Sequence, residues 1–130
     1  MILVDTTVWI DFFSERDSSQ AKHLASLIEQ QDELCVCGIV LTEILQGIKN
    51  PAEYQKVKNL MESLLFLDMT KHTYILAADI YRSLRAKGIT IRKTLDCMIA
   101  AVAIEHRASL LHHDRDFDPI EKYCHLRVEY

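Results

Sequence analysis

Short apolar segments alternate along the chain with longer segments in which apolar residues recur every three or four positions. The short segments predict strands over residues 2–4, 34–37, 65–69 and 109–112, with a final edge strand over residues 126–128. The longer segments have the spacing of amphipathic helices. Strands that alternate with helices form βαβ units. The pattern therefore predicts an α/β fold, a three-layer α/β/α sandwich around a central parallel sheet of 4–5 strands.

Polar residues and glycine mark several of the expected helix boundaries. Ser18 or Ser19 is placed to cap the second helix. Thr94 is expected to cap the helix that begins after Thr94 in the sequence. A strong helix is predicted over residues 74–87, where Gly88 ends the apolar periodicity. These signals place the loops between the predicted elements. The chain contains no repeat or linker.

Length and composition predict one domain that spans residues 1–130. The chain is 49% hydrophobic and 26% charged, which is typical of a soluble globular protein. Asp5 interrupts the first apolar run, so no signal peptide is expected, and no run approaches the ~20 residues of a membrane span. The expected location is cytoplasmic, with no membrane partner. The net charge of −4 gives no global basic field that would indicate a nucleic-acid partner.

The four cysteines form no C-x-x-C pair. Cys35 and Cys37 have strand spacing, Cys97 lies in a helical apolar pattern, and Cys124 stands alone. We therefore expect buried free thiols in a reducing compartment rather than disulfides or a zinc site.

Five acids fall near the expected functional edge of the sheet. Asp5 follows the first strand, and Asp114 and Asp116 follow the fourth. Glu43 lies one turn into the helix after the second strand, and Asp96 lies in the first turn of a later helix. In open parallel sheets the functional crevice lies at the carboxyl ends of the strands. The structural alternatives are an N-cap for Asp5, a helix-dipole acid for Asp96 and an exposed helix position for Glu43.

Converging carboxylates need compensation. Two unit charges ~4 Å apart repel by about 4 kcal/mol at an effective dielectric near 20, so clustered acids take up protons or bind a cation. Ligation by oxygen alone favours Mg²⁺ or Mn²⁺. The chain has no G-x-x-x-x-G-K-[ST] loop for a nucleotide, so the phosphate is expected on the substrate. Metal-assisted hydrolysis of a phosphodiester follows more naturally than kinase chemistry.

At this point the sequence resembles the PIN-domain ribonucleases. The similarity is carried by Asp5-Thr6-Thr7, by Glu43, by Asp96 within residues 94–101, and by Asp114-Arg115-Asp116-Phe117. The compact length resembles the VapC-type toxins of bacterial toxin–antitoxin pairs. The resemblance implies a Mg²⁺- or Mn²⁺-dependent endoribonuclease, a homodimer, and inhibition by a cognate antitoxin whose C-terminal segment covers the site, often with a basic side chain.

The resemblance also assigns roles to residues. Thr7 matches the hydroxyl residue that supports the first acid, whereas His112 stands where the family usually has Ser or Thr two residues before the fourth acid. The support of Asp114 is therefore open, and Asp116 could share or take its role. The metal ligands implied by the family are Asp5, Glu43, Asp96 and Asp114.

RNA must reach these acids despite the net negative charge. We expect Arg92, Lys93 and Arg115 to contact phosphates, because the first two enter the helix of Asp96 and the third lies between two candidate ligands. For Arg82 and Arg85 a solvated helix face is the favoured interpretation.

The residues also fit other interpretations. For His112 and His113, a partly buried strand-end histidine with a backbone partner is favoured over a transition-metal ligand or a general acid. A response-regulator receiver could use Asp68 but leaves Glu43 and Asp96 unexplained. A haloacid-dehalogenase phosphatase needs D-x-D, which Asp5-Thr6-Thr7 lacks. A catalytically silent binding module is the third alternative.

Overall fold

The computed structural model describes all residues 1–130. It contains four strands and seven α-helices that follow one another along the chain, and a 3₁₀ turn precedes the last helix. In chain order the elements are β1 (Ile2–Val4), α1 (Thr6–Phe13), α2 (Ser19–Glu29), β2 (Leu34–Cys37), α3 (Gly38–Gln46), α4 (Pro51–Ser63), β3 (Leu65–Leu67), α5 (Lys71–Ala86), α6 (Thr94–Glu105), β4 (Ser109–Leu111), the 3₁₀ turn (Arg115–Phe117) and α7 (Asp118–Tyr123).

The four strands form one parallel sheet in the order β3-β2-β1-β4. In its register, Ile2 of β1 lies opposite Leu34 on one side and Ser109 on the other. The helices flank this sheet, so the predicted α/β/α architecture is confirmed. The expected strand over residues 126–128 is reduced to one bridge between Val128 and Leu110.

The strands are short and apolar because helices cover the sheet. Every residue of β2 is buried, which is typical of parallel strands packed on both faces. The apolar side chains form one contiguous core, in which Leu3, Trp9 and Leu110 are fully buried. Two of the helix contacts that close it are α1 on α2 and α5 on α6. None of the helices combines the length and apolarity needed to cross a bilayer.

Several boundaries differ from the sequence-based expectation. Ser18 caps α2 as predicted, and its hydroxyl accepts a hydrogen bond from the backbone N–H of Ala21. The prediction for Thr94 is wrong, since Lys93 is the N-cap of α6 and Thr94 is its first helical residue. The third strand ends at residue 67 rather than 69.

Helix α5 begins at Lys71, three residues before the expected start. The backbone N–H of Thr70 donates a 2.9 Å hydrogen bond to the hydroxyl of Thr73, which stabilises this early first turn. The spacing of apolar residues does not reveal this hydrogen bond, so it does not predict the earlier start of the helix. All four cysteines are free, and three of them are buried, as predicted.

Candidate active site

Three carboxylates converge where β4 ends and α6 begins. Asp96, Asp114 and Asp116 each present an oxygen, and these oxygens all lie within 4.8 Å of one another. Asp96 is buried in the first turn of α6. Asp114 precedes the 3₁₀ turn, and its Oδ1 accepts a 2.9 Å hydrogen bond from the backbone N–H of Asp116. Two acids in the segment after β4 therefore lie close to one acid on α6.

Asp5 lies directly after the central strand β1 and is only 3% exposed. Its Oδ2 accepts hydrogen bonds from the backbone N–H of Thr7 at 3.2 Å and from the Thr7 hydroxyl at 2.6 Å. Asp5 is thus the N-cap of α1, as the structural alternative predicted. It is not one of the three acids whose oxygens lie within 4.8 Å of one another, but its negative charge contributes to raising the pKa of Asp96. The two interpretations are compatible.

Glu43 reaches the site from α3. Its Oε1 accepts a 2.7 Å hydrogen bond from the hydroxyl of Thr6, and its charge contributes to raising the pKa of Asp5. The contact between Thr6 and Glu43 is not predictable from the sequence pattern. The nearest sequence signal for this contact is the pair of hydroxyl residues after Asp5. The Thr7 hydroxyl donates a hydrogen bond to Asp5, and the Thr6 hydroxyl donates one to a second acid, Glu43.

Burial and repulsion make these acids hard to ionise without a cation. Burial raises the pKa of Asp96 to about 7, and the charges of Asp114, Asp5 and Asp116 act in the same direction. Burial also raises the pKa of Asp5, against the hydrogen bonds from Thr7. Two carboxylates with raised pKa values at one sheet edge are typical of a functional site.

One buried oxygen of this cluster lacks a hydrogen-bond partner. Oδ2 of Asp96 is inaccessible to solvent and accepts no hydrogen bond. A buried carboxylate oxygen without a donor is costly when the group is ionised. A cation held jointly with a second carboxylate of the cluster would remove that cost. Because all the candidate donors are carboxylate oxygens, the group that fits is a hard divalent ion.

The three predicted RNA-contacting cations all lie beside the acids. Arg92 is exposed, and its Nε donates to Oδ2 of Asp116 at 3.1 Å, which raises the pKa of the guanidinium. Lys93 is the N-cap of α6, and its charge opposes the upward shift in the pKa of Asp96. Arg115 is exposed in the 3₁₀ turn. These positions leave cationic groups at the rim of a negative centre.

His112 takes a structural position at the end of β4. Its Nδ1 accepts a 3.2 Å hydrogen bond from the backbone N–H of Asp114, and its ring packs 4.9 Å from the ring of Phe117. Burial lowers the pKa of His112. The prediction of a partly buried histidine with a backbone partner is confirmed for His112, which orients the segment that carries Asp114. It is wrong for His113, which is exposed and pairs with the carboxylate of Asp11.

A cavity of about 1200 Å³ opens beside the acids. Asp114 and Asp116 line it together with Arg92, Arg115 and His113, and its far walls come from α2 and from the end of the chain. The cavity thus has positive and negative groups beside two of the three clustered carboxylates.

The chain is similar to known proteins in both sequence and fold. Residues 2–123 match the PIN domain. The chain is 34% identical to Ribonuclease VapC11 of Mycobacterium tuberculosis, over 98% of this chain and 97% of that protein. The fold is similar to that in the structure of VapBC2 from Rickettsia felis bound to a DNA fragment from their promoter (TM-score 0.76, 22% identity, 99% and 98% of the two chains). It is also similar to a toxin-antitoxin complex from Klebsiella pneumoniae (TM-score 0.73, 21% identity, 92% of each chain). The chain therefore belongs to the PIN-domain family, in the group of the VapC ribonucleases.

Proposed function

We propose that this chain is a metal-dependent endoribonuclease and acts as the toxin of a toxin–antitoxin pair. The observation that carries the proposal is the unpartnered, buried Oδ2 of Asp96 within a cluster of carboxylates, in a chain of the VapC group. The reaction is hydrolysis of an RNA phosphodiester bond. The receiver-like alternative is not favoured, because Asp68 lies outside the acidic cluster.

Mg²⁺ or Mn²⁺ is the proposed cofactor. When bound, the ion supplies positive charge that polarises the scissile phosphate and makes a water molecule nucleophilic near neutral pH. Asp5, Glu43, Asp96 and Asp114 are the residues proposed to hold it. Thr7 holds Asp5 in one orientation through two hydrogen bonds, and Thr6 does the same for Glu43 through one.

Asp116 is the alternative to Asp114 as the fourth ligand. Asp114 uses Oδ1 to accept the N–H of Asp116, so its other oxygen remains for a cation. Asp116 uses Oδ2 to accept from Arg92. A cation at Asp116 would compete with the guanidinium, whereas one at Asp114 would not. This difference favours Asp114 as the ligand and Asp116 as the anchor of Arg92.

Arg92, Lys93 and Arg115 are proposed to contact backbone phosphates on either side of the scissile bond. Each is exposed and lies next to an acid in sequence or in space. Phosphate contacts supply affinity that is independent of base sequence and sensitive to salt. The cations thus offset the repulsion between the acidic site and RNA.

The proposed partners are a second copy of the chain and a cognate antitoxin. Support for the antitoxin comes from the fold shared with a toxin-antitoxin complex, and an acidic pocket suits a basic side chain of such a partner. Support for the homodimer comes from apolar exposure at the sheet edge, where Leu65 is 45% and Phe66 50% exposed. Light scattering after size-exclusion chromatography would measure the oligomeric state, and a monomer at all concentrations would contradict the dimer.

Cleavage of total RNA tests the activity. The purified protein is incubated with RNA in Mn²⁺, in Mg²⁺ and with chelator, and the new ends are mapped. We expect discrete cuts only with a divalent ion, and none with Asp96→Asn. Asp68→Asn is the matched control, because Asp68 is an exposed aspartate outside the cluster and should cut like the wild type. Cleavage that survives chelation, or that Asp96→Asn retains in full, would contradict the proposal.

A further inference from the structure

His113 combines an exposed ring with a fixed orientation. Its Nδ1 lies 2.8 Å from Oδ2 of Asp11, a residue 102 positions away on α1. The side chain of Asp11 is 9% exposed, whereas that of His113 is 52% exposed. An exposed histidine is normally free to rotate, but here a buried carboxylate holds one edge of the ring and leaves the opposite edge facing solvent.

The pairing also fixes which nitrogen of His113 carries the proton. An ionised carboxylate only accepts hydrogen bonds, and the guanidinium of Arg16 lies 3.7 Å from the other oxygen of Asp11. Nδ1 of His113 is therefore the donor. In the neutral ring Nε2 then carries the lone pair and acts as an acceptor directed away from Asp11.

His113 belongs to the wall of the candidate active site. The backbone N–H of His113 donates a 3.1 Å hydrogen bond to the hydroxyl of Thr7, which itself donates to Asp5. His113 also lines the cavity that Asp114 and Asp116 share. Two hydrogen bonds thus connect His113 to the first acid of the cluster, and its ring borders the space that a substrate would occupy.

We propose that Nε2 of His113 accepts a hydrogen bond from the ribose 2′-hydroxyl of a nucleotide next to the scissile phosphate, with Asp11 as its positioning residue. This inference rests on the proposed ribonuclease function. Phosphate and ribose-ring oxygens only accept hydrogen bonds, so the 2′-hydroxyl is the one donor of the RNA backbone. It is also the group that distinguishes RNA from DNA. His113 therefore selects RNA at a site whose acids alone do not discriminate the sugar.

A substrate series tests the contact. A short single-stranded RNA that spans a mapped cut is compared with otherwise identical oligonucleotides that carry one 2′-deoxy residue, placed in turn on each side of the cut. The wild type should lose about fivefold in kcat/KM at one of these positions, the effect of one hydrogen bond. This arm needs no variant, and a wild type indifferent to 2′-deoxy substitution at both positions would overturn the proposal.

His113→Asn separates recognition from structure. Asparagine keeps a side-chain N–H at the position of Nδ1, so it can still donate to Asp11, but it lacks the Nε2 edge. The variant should cut the all-RNA substrate about fivefold more slowly and lose nothing further with the 2′-deoxy substrate. Its melting temperature and its stabilisation by Mn²⁺ should match the wild type. His72→Asn, at an exposed position on α5, is the control and should behave like the wild type on both substrates.

The outcomes distinguish the alternatives. If His113→Asn cuts RNA like the wild type, Asp11 and His113 only tie the loop to α1, and the proposal is overturned. If the variant remains sensitive to the 2′-deoxy residue, the hydroxyl has a different partner, which also overturns it. A wild type that cuts no RNA refutes the proposed function itself.

Discussion

The hydroxyl of Thr6 donates a 2.7 Å hydrogen bond to Oε1 of Glu43, and this contact joins the start of α1 to α3 across 37 positions of sequence. Thr6 is buried, and the carboxylate that it holds adds to the negative charge around Asp5. A charged acceptor makes this hydrogen bond stronger than one between neutral groups. The orientation of Glu43 therefore depends on a residue outside the acidic cluster.

Thr6→Val is expected to release Glu43 while keeping the shape of the side chain. The rate of RNA cleavage should fall by between about tenfold and a hundredfold, because displacing a catalytic group by about 1 Å can reduce the rate that much. Unfolding free energy should fall by only about 1 kcal/mol. Single-turnover cleavage and chemical denaturation measure the two effects. Thr42→Val is the matched control, since the Thr42 hydroxyl bonds the Gly38 carbonyl on the same helix. Equal rates for the two variants would contradict a role for Thr6.

The sheet could be predicted from the sequence because its strands are buried on both faces. A continuous apolar run such as residues 34–37 is typical of a parallel strand that is buried on both faces, as β2 is. The expected strand over residues 126–128 does not form a ladder, because only Leu110 exchanges backbone hydrogen bonds with this segment. Leu110 donates to Arg127 and accepts from Glu129, so one bridge forms.

The acids could be placed at one edge of the sheet because parallel strands direct their carboxyl ends to the same side. Asp5 and Asp114 follow from that rule alone. What the sequence could not reveal are the contacts that orient them. The Thr6–Glu43 and Asp11–His113 pairs are 37 and 102 positions apart, and no periodicity relates residues at such separations. Tertiary packing alone brings them into contact.

The buried charge of Asp96 should make the metal-free protein less stable as pH rises. The native pKa is about 7, above the unfolded value of about 3.9, so the native state binds more protons between these limits. The contribution of Asp96 to stability is therefore complete below about pH 4 and is lost as pH rises through 7. Asn resembles the protonated acid, so Asp96→Asn should match the wild type near pH 4. At pH 8 it should exceed the wild type by on the order of 4 kcal/mol.

Urea denaturation of both proteins in chelator, from pH 4 to pH 8, measures this difference. Only the gap between the two proteins is compared, because other carboxylates titrate in both. Asp68→Asn is the control, since Asp68 is exposed and lies outside the acidic cluster. A gap for Asp96→Asn that does not change with pH would mean that Asp96 ionises as freely in the native as in the unfolded state.

Arg92→Gln should separate the two proposed tasks of the Arg92–Asp116 pair. The guanidinium is largely exposed, so unfolding free energy should change by less than about 1 kcal/mol. The KM for RNA should rise severalfold because a phosphate contact is lost, while Mn²⁺ should bind more tightly because Asp116 is no longer neutralised. Arg85→Gln, on the exposed surface of α5, should change neither. An unchanged KM for Arg92→Gln would remove Arg92 from the RNA contacts.

A divalent ion should stabilise the folded chain in proportion to its occupancy. At 100 times its Kd, Mn²⁺ or Mg²⁺ adds about 2.7 kcal/mol, which raises the Tm of a domain of this size by about 10 °C. The gain should grow as pH rises through 7, because a proton on Asp96 competes with the ion. Calorimetry of the wild type and of Asp96→Asn over a metal titration measures both effects. If saturating Mn²⁺ leaves the wild-type Tm unchanged, or stabilises Asp96→Asn equally, the ion does not bind at the carboxylates of Asp96 and Asp114.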